Sequence, residues 1–169
     1  MFRLDNYMEQ WAKEYIPLSH TEEDPSFFRM NDIFSLDEFL QNYHQLNKPV
    51  CGIVTHIKAK INVSKRVERP TYECVFLANA DERDFKAQAD AKEKAWNLMW
   101  AFLVKLDEDK KKEASEGKRS ALANINLEDL DADTIGPIAN GWFQVNLSIE
   151  TNNQNRICYN EEEYNTNPY

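Results

Sequence analysis

From Asp81 to about Asp107, apolar residues return to one face every three or four positions: Phe85, Ala89, Ala95, Trp96, Met99, Phe102, Leu103 and Leu106. Asp81, with Asp84 three positions later, is placed to cap the start of a helix there. A helix of about 26 residues is roughly 39 Å long at ~1.5 Å per residue, long enough to cross a whole sheet. Such an element is the backbone of a core, and the rest of the chain has to supply the surface it packs on. Trp100 falls off the main stripe and is left for another element or another subunit.

That surface reads as strands. From Val50 to Ile61 the alternation puts Cys51, Ile53, Thr55, Ile57, Ala59 and Ile61 on one face and His56, Lys58 and Lys60 on the other, a strand with one wet face. Pro70 opens a second strand, Thr71 to Asn79, with Tyr72, Cys74, Phe76 and Ala78 opposed to Glu73, Val75 and Leu77; NVSKRVER joins the two as a basic hairpin tip. Leu122, Ile125, Leu127 and Leu130 suggest a third strand and its exit, and Phe143 to Thr151 a fourth. Before the fourth, Gly136-Pro137 breaks the chain and Asn140-Gly141 suits a tight turn. Phe143, Val145, Leu147 and Ile149 should then lie against the long helix, with Trp142 on the opposite register for a neighbour. The expected fold is α+β: a mainly antiparallel sheet of about four strands in two hairpins, packed on a long central helix, with extra N-terminal helices.

The termini extend this unit. Leu4, Tyr7, Met8, Trp11 and Tyr15 stripe a first helix that Pro17 stops, and residues 17–34 read as an irregular arm with Glu22, Glu23, Asp24, a Pro25 break and the pair Phe27 and Phe28, a docking segment. Ser35 and Glu38 form a capping box for a second helix ending near Leu46, its stripe made by Leu36, Phe39, Leu40 and Tyr43. Asp107 to Ser120, DEDKKKEASEGKRS, reads as a mobile charged connector, and residues 160–169 as an acidic tail. The division is therefore 1–34, helix and arm; 35–159, one α+β domain with a mobile loop over 107–120; and 160–169, tail.

At 169 residues the chain is about one domain long. Its net charge of −9 argues against a protein that grips nucleic-acid phosphates. The charge is uneven: Lys48 to Arg69 carries six bases and one acid, whereas from Ser120 onward eight acids face the single Arg156. A basic segment between acidic ends suits contact between copies of the chain, and it equally suits ordinary solvated surface. Cys51, Cys74 and Cys158 have no disulfide or zinc spacing, which fits a reducing compartment. The N-terminus lacks a signal-peptide core, and the apolar run AWNLMWAFLV is far short of the ~20 residues of a membrane helix, so a soluble protein made in the cytoplasm is expected.

Tests for chemistry fail one by one. Gly136 and Gly141 have phosphate-loop spacing, but Trp142 and Phe143 stand where Lys and Ser/Thr are needed, and a strand follows instead of a helix. Asp131, Asp133 and Gly136 match three positions of a calcium loop, yet Ile135 and Trp142 replace oxygen ligands; a weak divalent-cation site with Glu128 and Asp129 is the residual reading beside plain solvation. His20, His44 and His56 are isolated from one another, and Cys51 and Cys74 sit on inward registers. Trp96 and Trp100, four apart, have no base between them and so make no base-stacking platform. The chain is expected not to be an enzyme, with no catalytic residue, metal or cofactor.

The order helix, strand, basic hairpin, strand, long helix, charged loop, strand, turn, strand, closing on GWFQVNLSIE, resembles the tail-terminator and tail-completion proteins of tailed bacteriophages. Ile53 to Ile61, Tyr72 to Ala78, the helix from Asp81 and Gly141-Trp142 with the strand behind it carry the resemblance, which spans roughly Leu36 to Thr151. It implies a structural virion subunit, made in the host cytoplasm, that forms an oligomeric ring at the neck or head–tail junction. Its partners are then its own copies and other neck, portal or tail proteins, and DNA passes through without specific binding. The N-terminal arm, the loop after Asp107 and the acidic tail depart from the compact pattern. Phe27, Phe28, Lys65, Arg66, Arg69 and Trp142 are the candidate intersubunit contacts. Two other classes stand beside this one: an acidic adaptor or inhibitor, with DNA mimicry as one form of it, that binds a host protein, and a divergent enzyme whose cleft gathers His56, a cysteine or Glu128, Asp129, Asp131 and Asp133.

Overall fold

A computed structural model describes residues 3–31, 48–54, 58–65, 67–81, 83–117, 122–138, 141–151 and 153–154. The expected helix over 35–46 and the acidic tail over 160–169 lie outside the described residues. The elements in chain order are α1 (Leu4–Glu14), β1 (Phe27–Met30), β2 (Val50–Val54), β3 (Lys58–Asn62), β4 (Val67–Asn79), α2 (Phe85–Ser115), a 3-10 turn (Leu122–Asn124), β5 (Ala132–Ile138), β6 (Trp142–Glu150) and β7 (Asn153–Gln154).

The fold is α+β, with one mixed sheet and a long central helix. β4 is its axis. On one side β4 pairs antiparallel with β2 through Val50↔Leu77 to Ile53↔Cys74, and with β3 through Lys58↔Thr71 to Asn62↔Val67. On the other side it pairs with β6 from Thr71↔Glu150 to Asn79↔Trp142, and β7 continues that register at Val67↔Gln154. The path β1-β2-β4-β6-β5 is completed by β1, parallel to β2, and by β5, antiparallel to β6. The four strands in two hairpins expected from the pattern are thus a larger sheet. The arm between the first helix and residue 34 contributes the edge strand β1, which has only four residues and no alternation long enough to show as a period.

Alternation decides which side chains meet the helices. Cys51 and Ile53 from β2, Tyr72, Cys74, Phe76 and Ala78 from β4, and Phe143, Val145, Leu147 and Ile149 from β6 join one buried cluster with α1 and α2. The inward set expected of the last strand is the observed one. At the centre of the cluster the Trp11 and Phe102 rings meet edge to face at 5.1 Å, and Phe76 lies 5.7 Å from Phe102. The Tyr7 hydroxyl donates to Asp109 Oδ2 at 2.7 Å, fixing α1 to α2. Arg29 donates to Asp5 Oδ2 at 3.0 Å and to Glu9 Oε2 at 2.6 Å, fixing α1 to β1. Val50 and Val54 of β2 are also buried, on the opposite face, with Val75, Leu77, Met30 and Trp142. β2 therefore has two buried faces, and the wet face expected for it is absent from residues 50–54.

α2 differs from its sequence reading at both ends. Its N-cap is Asp84, whose Oδ1 accepts from the Lys86 and Ala87 N–H groups at 2.9 and 3.1 Å, while Asp81 turns the chain one step earlier by accepting from the Arg83 N–H. At the other end the helix runs through the expected connector to Ser115, giving 31 residues, or about 46 Å. The charged run there is made of strong helix formers. Two ion pairs four residues apart brace it, Lys105 with Asp109 at 2.6 Å and Asp107 with Lys111 at 2.5 Å. Lys110 adds a tertiary tie by donating to the Ile125 carbonyl at 2.6 Å. Gly117, at φ +65°, then ends the helix by taking the left-handed turn.

The third strand is also relocated. Leu122 to Asn124 form a 3-10 turn, Ile125 makes an isolated bridge to Thr151, and the strand itself begins at Ala132. Gly136-Pro137, expected to break the chain, lies inside β5 at the irregularity between Ile135 and Ile138. Gly136 sits at φ +146°, with the Phe143 ring 2.8 Å from where a Cβ would stand, so both conformation and space call for glycine there.

Candidate interaction surfaces

The buried face of α2 is narrower than the sequence stripe. Ala91, Ala95, Leu98, Met99, Phe102 and Leu106 are buried, whereas Phe85 and Trp96, both assigned to the stripe, are exposed. The reason is the sheet's position. β4 and β6 contact one side of the helix, and the stripe widens past that side at Trp96, 36% exposed, Trp100, 52%, and Val104, 51%. These side chains, with Leu103 and Asp107, form one wall of a groove of about 530 Å³ whose other wall is Leu127, Leu130 and Ala132 and whose floor includes Met99 and Leu147. Two tryptophan rings at the lip of an apolar groove are the composition of an interface anchor more than of solvated surface.

The loop that walls the groove is acidic. Glu128, Asp129, Asp131 and Asp133 are all exposed, and none is in an ion pair among the described residues. The backbone carbonyl of Asp131 accepts from the Ser148 N–H at 3.1 Å, which ties the acidic segment to β6. Among the described residues no group of three or more His, Cys, Asp or Glu is arranged to hold a metal ion.

A second exposed region lies on the far side of β4. β3 and the first half of β4 form a hairpin in which every residue of β3 is exposed. Ala59 and Ile61 keep the helix-side register expected of them, opposite Pro70 and Glu68, but the strand runs past the helices and Ile61 is 71% exposed. Val63, at the turn, is 82% exposed. Lys65 follows them at the turn, Lys58 and Arg69 lie on the opposite face of the hairpin, none of the three is in an ion pair among the described residues, and Lys60 lies 3.5 Å from Glu150. The turn itself is held by the Asn62 side chain, whose Oδ1 accepts from the Lys65 N–H at 2.9 Å.

The six residues singled out from sequence divide unevenly. Lys65 and Arg69 are exposed on the hairpin, and Arg66 lies outside the described residues. Phe27 and Trp142 are buried within the chain, Phe27 against the helices and Trp142, fully covered, among Met30, Val50, Val54, Val75 and Leu77. Phe28 is half-buried on the second cluster, its ring 2.6 Å from where a Gly52 Cβ would stand. The apolar part of the expected contact set is therefore used inside the subunit, because β1 joins the sheet and places its aromatics on both faces. The exposed large apolar residues among the described ones are instead Ile16, Ile61, Val63, Phe85, Trp96, Trp100, Val104 and Ile135, and of these Trp96, Trp100 and Val104 line the groove while Ile61 and Val63 lie on the hairpin. Of these only Trp100 had a signal in the sequence, its position off the main stripe.

Titratable groups in the interior are quiet. Burial pushes the Cys51 and Cys74 thiols well above their ordinary value, so both are protonated packing groups with no nucleophilic character. Burial lowers the His20 pKa, with Lys13 and Lys48 reinforcing and Glu9 and Asp24 opposing, and its Nδ1 accepts from the Ser26 and Phe27 N–H groups at 3.1 and 3.3 Å. His20 is thus a neutral brace that sets the start of β1. His44 and His56 lie outside the described residues. Desolvation raises the Asp5 carboxyl, but hydrogen bonds and charge from Arg3 and Arg29 together hold it below the ordinary value.

No helix among the described residues is long and apolar enough to cross a membrane. The chain matches no protein-family model, and no curated protein is significantly similar to it in sequence.

Proposed function

We propose that the chain is a structural subunit that assembles with its own copies into a ring, in the manner of the tail-terminator and tail-completion proteins of tailed bacteriophages that its element order resembles. The observation that carries the assembly reading is the open apolar groove on α2, with Trp96, Trp100 and Val104 at its lip. Soluble monomers seldom leave two tryptophans at an unfilled apolar groove. A net charge of −9 supports the neck location, since a conduit for DNA works by not binding phosphate. Other neck, portal or tail proteins are then its neighbours above and below, and the virion its destination.

A second reading draws on the exposed acids Glu128, Asp129, Asp131 and Asp133, which also suit an acidic adaptor or inhibitor seated on a basic host protein. Native mass spectrometry and negative-stain imaging of the concentrated protein separate the two. Closed rings of one stoichiometry are expected, and a chain that stays monomeric at high concentration would remove the ring reading in favour of the adaptor.

A further inference from the structure

The groove and the hairpin are complementary in two independent ways. The groove is an apolar trough of about 530 Å³ walled by an acidic loop, and the hairpin presents Ile61 on its helix-side face and Val63 at its turn, with Lys65 beside the turn and Lys58 and Arg69 on its opposite face. Glu128, Asp129, Asp131 and Asp133 of that loop and these three bases of the hairpin are without ion pairs among the described residues. The two regions do not meet within a chain. The groove lies under β5 and β6, on one side of β4, and β3 lies on the other side, held in register over five residue pairs. Two strand spacings of ~4.8 Å, and the body of α2, stand between them.

We infer that the β3–β4 hairpin of one copy seats in the α2 groove of the next, Ile61 and Val63 against Trp96, Trp100 and Val104, with Lys58, Lys65 and Arg69 facing the acidic loop over residues 128–133. This contact joins two different surfaces, so each copy keeps one free hairpin and one free groove. Repetition of the same rotation then adds further copies until the rotation closes. The inference rests on the ring reading above and supplies the joint for it. The apolar seat sets how long the contact lasts. The opposed charges set orientation and speed of encounter, so assembly slows as salt rises.

Two full-length variants test the joint: Trp100→Glu in the groove and Val63→Glu on the hairpin, with Val104→Glu as a second groove variant should the first lose its far-UV circular dichroism. Each alone is expected to weaken assembly about 30-fold or more, the loss of one interface anchor. Mixed in equal amounts, the two are expected to form a one-to-one pair that grows no further, because the intact hairpin of the groove variant fits the intact groove of the hairpin variant. Folded variants that still form wild-type rings overturn the joint and leave the ring reading standing. Variants that fail alone and also fail to pair when mixed overturn the joint as a head-to-tail contact. A wild-type chain that remains monomeric overturns both.

Discussion

The 13 residues of β4 pass through two environments. From Cys74 to Leu77 the strand is paired on both edges, and its side chains are divided between two buried clusters, Cys74 and Phe76 under the helices and Val75 and Leu77 on the other face. From Val67 to Thr71 it is paired along its length with β3 on one edge, and on the other at Val67 and Glu68 with β7 and at Thr71 with β6, yet nothing described covers the neighbouring β3. Both halves are paired, but burial falls from one to the other: Cys74 to Leu77 are all buried, whereas from Val67 to Thr71 only Pro70 is. The hairpin is held in shape by its ladder and is largely outside the core, with all of β3 and Arg69 exposed. That combination suits an arm that reaches out of the molecule while keeping its shape.

Replacement of the central ring should produce the largest effect and mark the buried half as the source of stability. Phe76→Ala is expected to destabilise the fold by about 3–5 kcal/mol, read from denaturant midpoints, since the cavity would open among Trp11, Phe102 and the sheet. A loss under about 1 kcal/mol would mean that the two halves differ less than their burial indicates.

A smaller effect is expected from acid, and it enters at the edge of the sheet. His20 has a folded pKa lowered from 6.5, so the native state binds fewer protons than the unfolded chain once the pH falls below that value. The stability contributed by the neutral ring is complete above about pH 6.5 and declines as the pH falls toward the folded pKa, with a slope of at most about 1.4 kcal/mol per unit. His20→Asn, whose side-chain oxygen can accept the same Ser26 N–H, should flatten the profile in this range. The depressed carboxylates Asp5, Glu9 and Asp109 act only at lower pH. An unchanged slope in His20→Asn would remove His20 as the brace of β1.

The smallest change is expected on the hairpin. Ile61→Ser should alter stability by no more than about 0.5 kcal/mol, because the side chain already faces water in the single subunit. Measured beside Phe76→Ala, a large loss at Ile61 would show that the hairpin is covered within the chain and would dissolve the contrast on which the arm rests.

Much of the core was legible because it is periodic. The alternation from Phe143 to Ile149 and the inward set Tyr72, Cys74, Phe76 and Ala78 follow from the two-residue repeat of a strand facing one layer of helices. Other features lacked a period. β1 is four residues long, and the strand at Ala132–Ile138 is interrupted at Gly136-Pro137, so the apolar residues Leu122, Ile125, Leu127 and Leu130 stand out in its place. The run after Asp107 reads as a loop because of its low apolar content, whereas Lys and Asp four apart also stabilise a solvated helix. The exposed set at Trp96, Trp100 and Val104 was the hardest to see. A helical stripe shows which residues are apolar but not how far the sheet extends beneath them, so Trp96 read as core and Trp142, buried, read as surface.

The continuity of β4 has a mechanical consequence. Its ladder with β6 runs from Thr71↔Glu150 to Asn79↔Trp142, with hydrogen bonds perpendicular to the strand. A pull on the hairpin along the β4 axis therefore loads these bonds in shear, all at once, and cannot peel them one by one. The neighbouring lane at β2 shares the same load through Val50↔Leu77 to Ile53↔Cys74. The hairpin is in effect the exposed end of a beam anchored through the middle of the sheet, so tension applied at its tip is borne by the subunit as a whole.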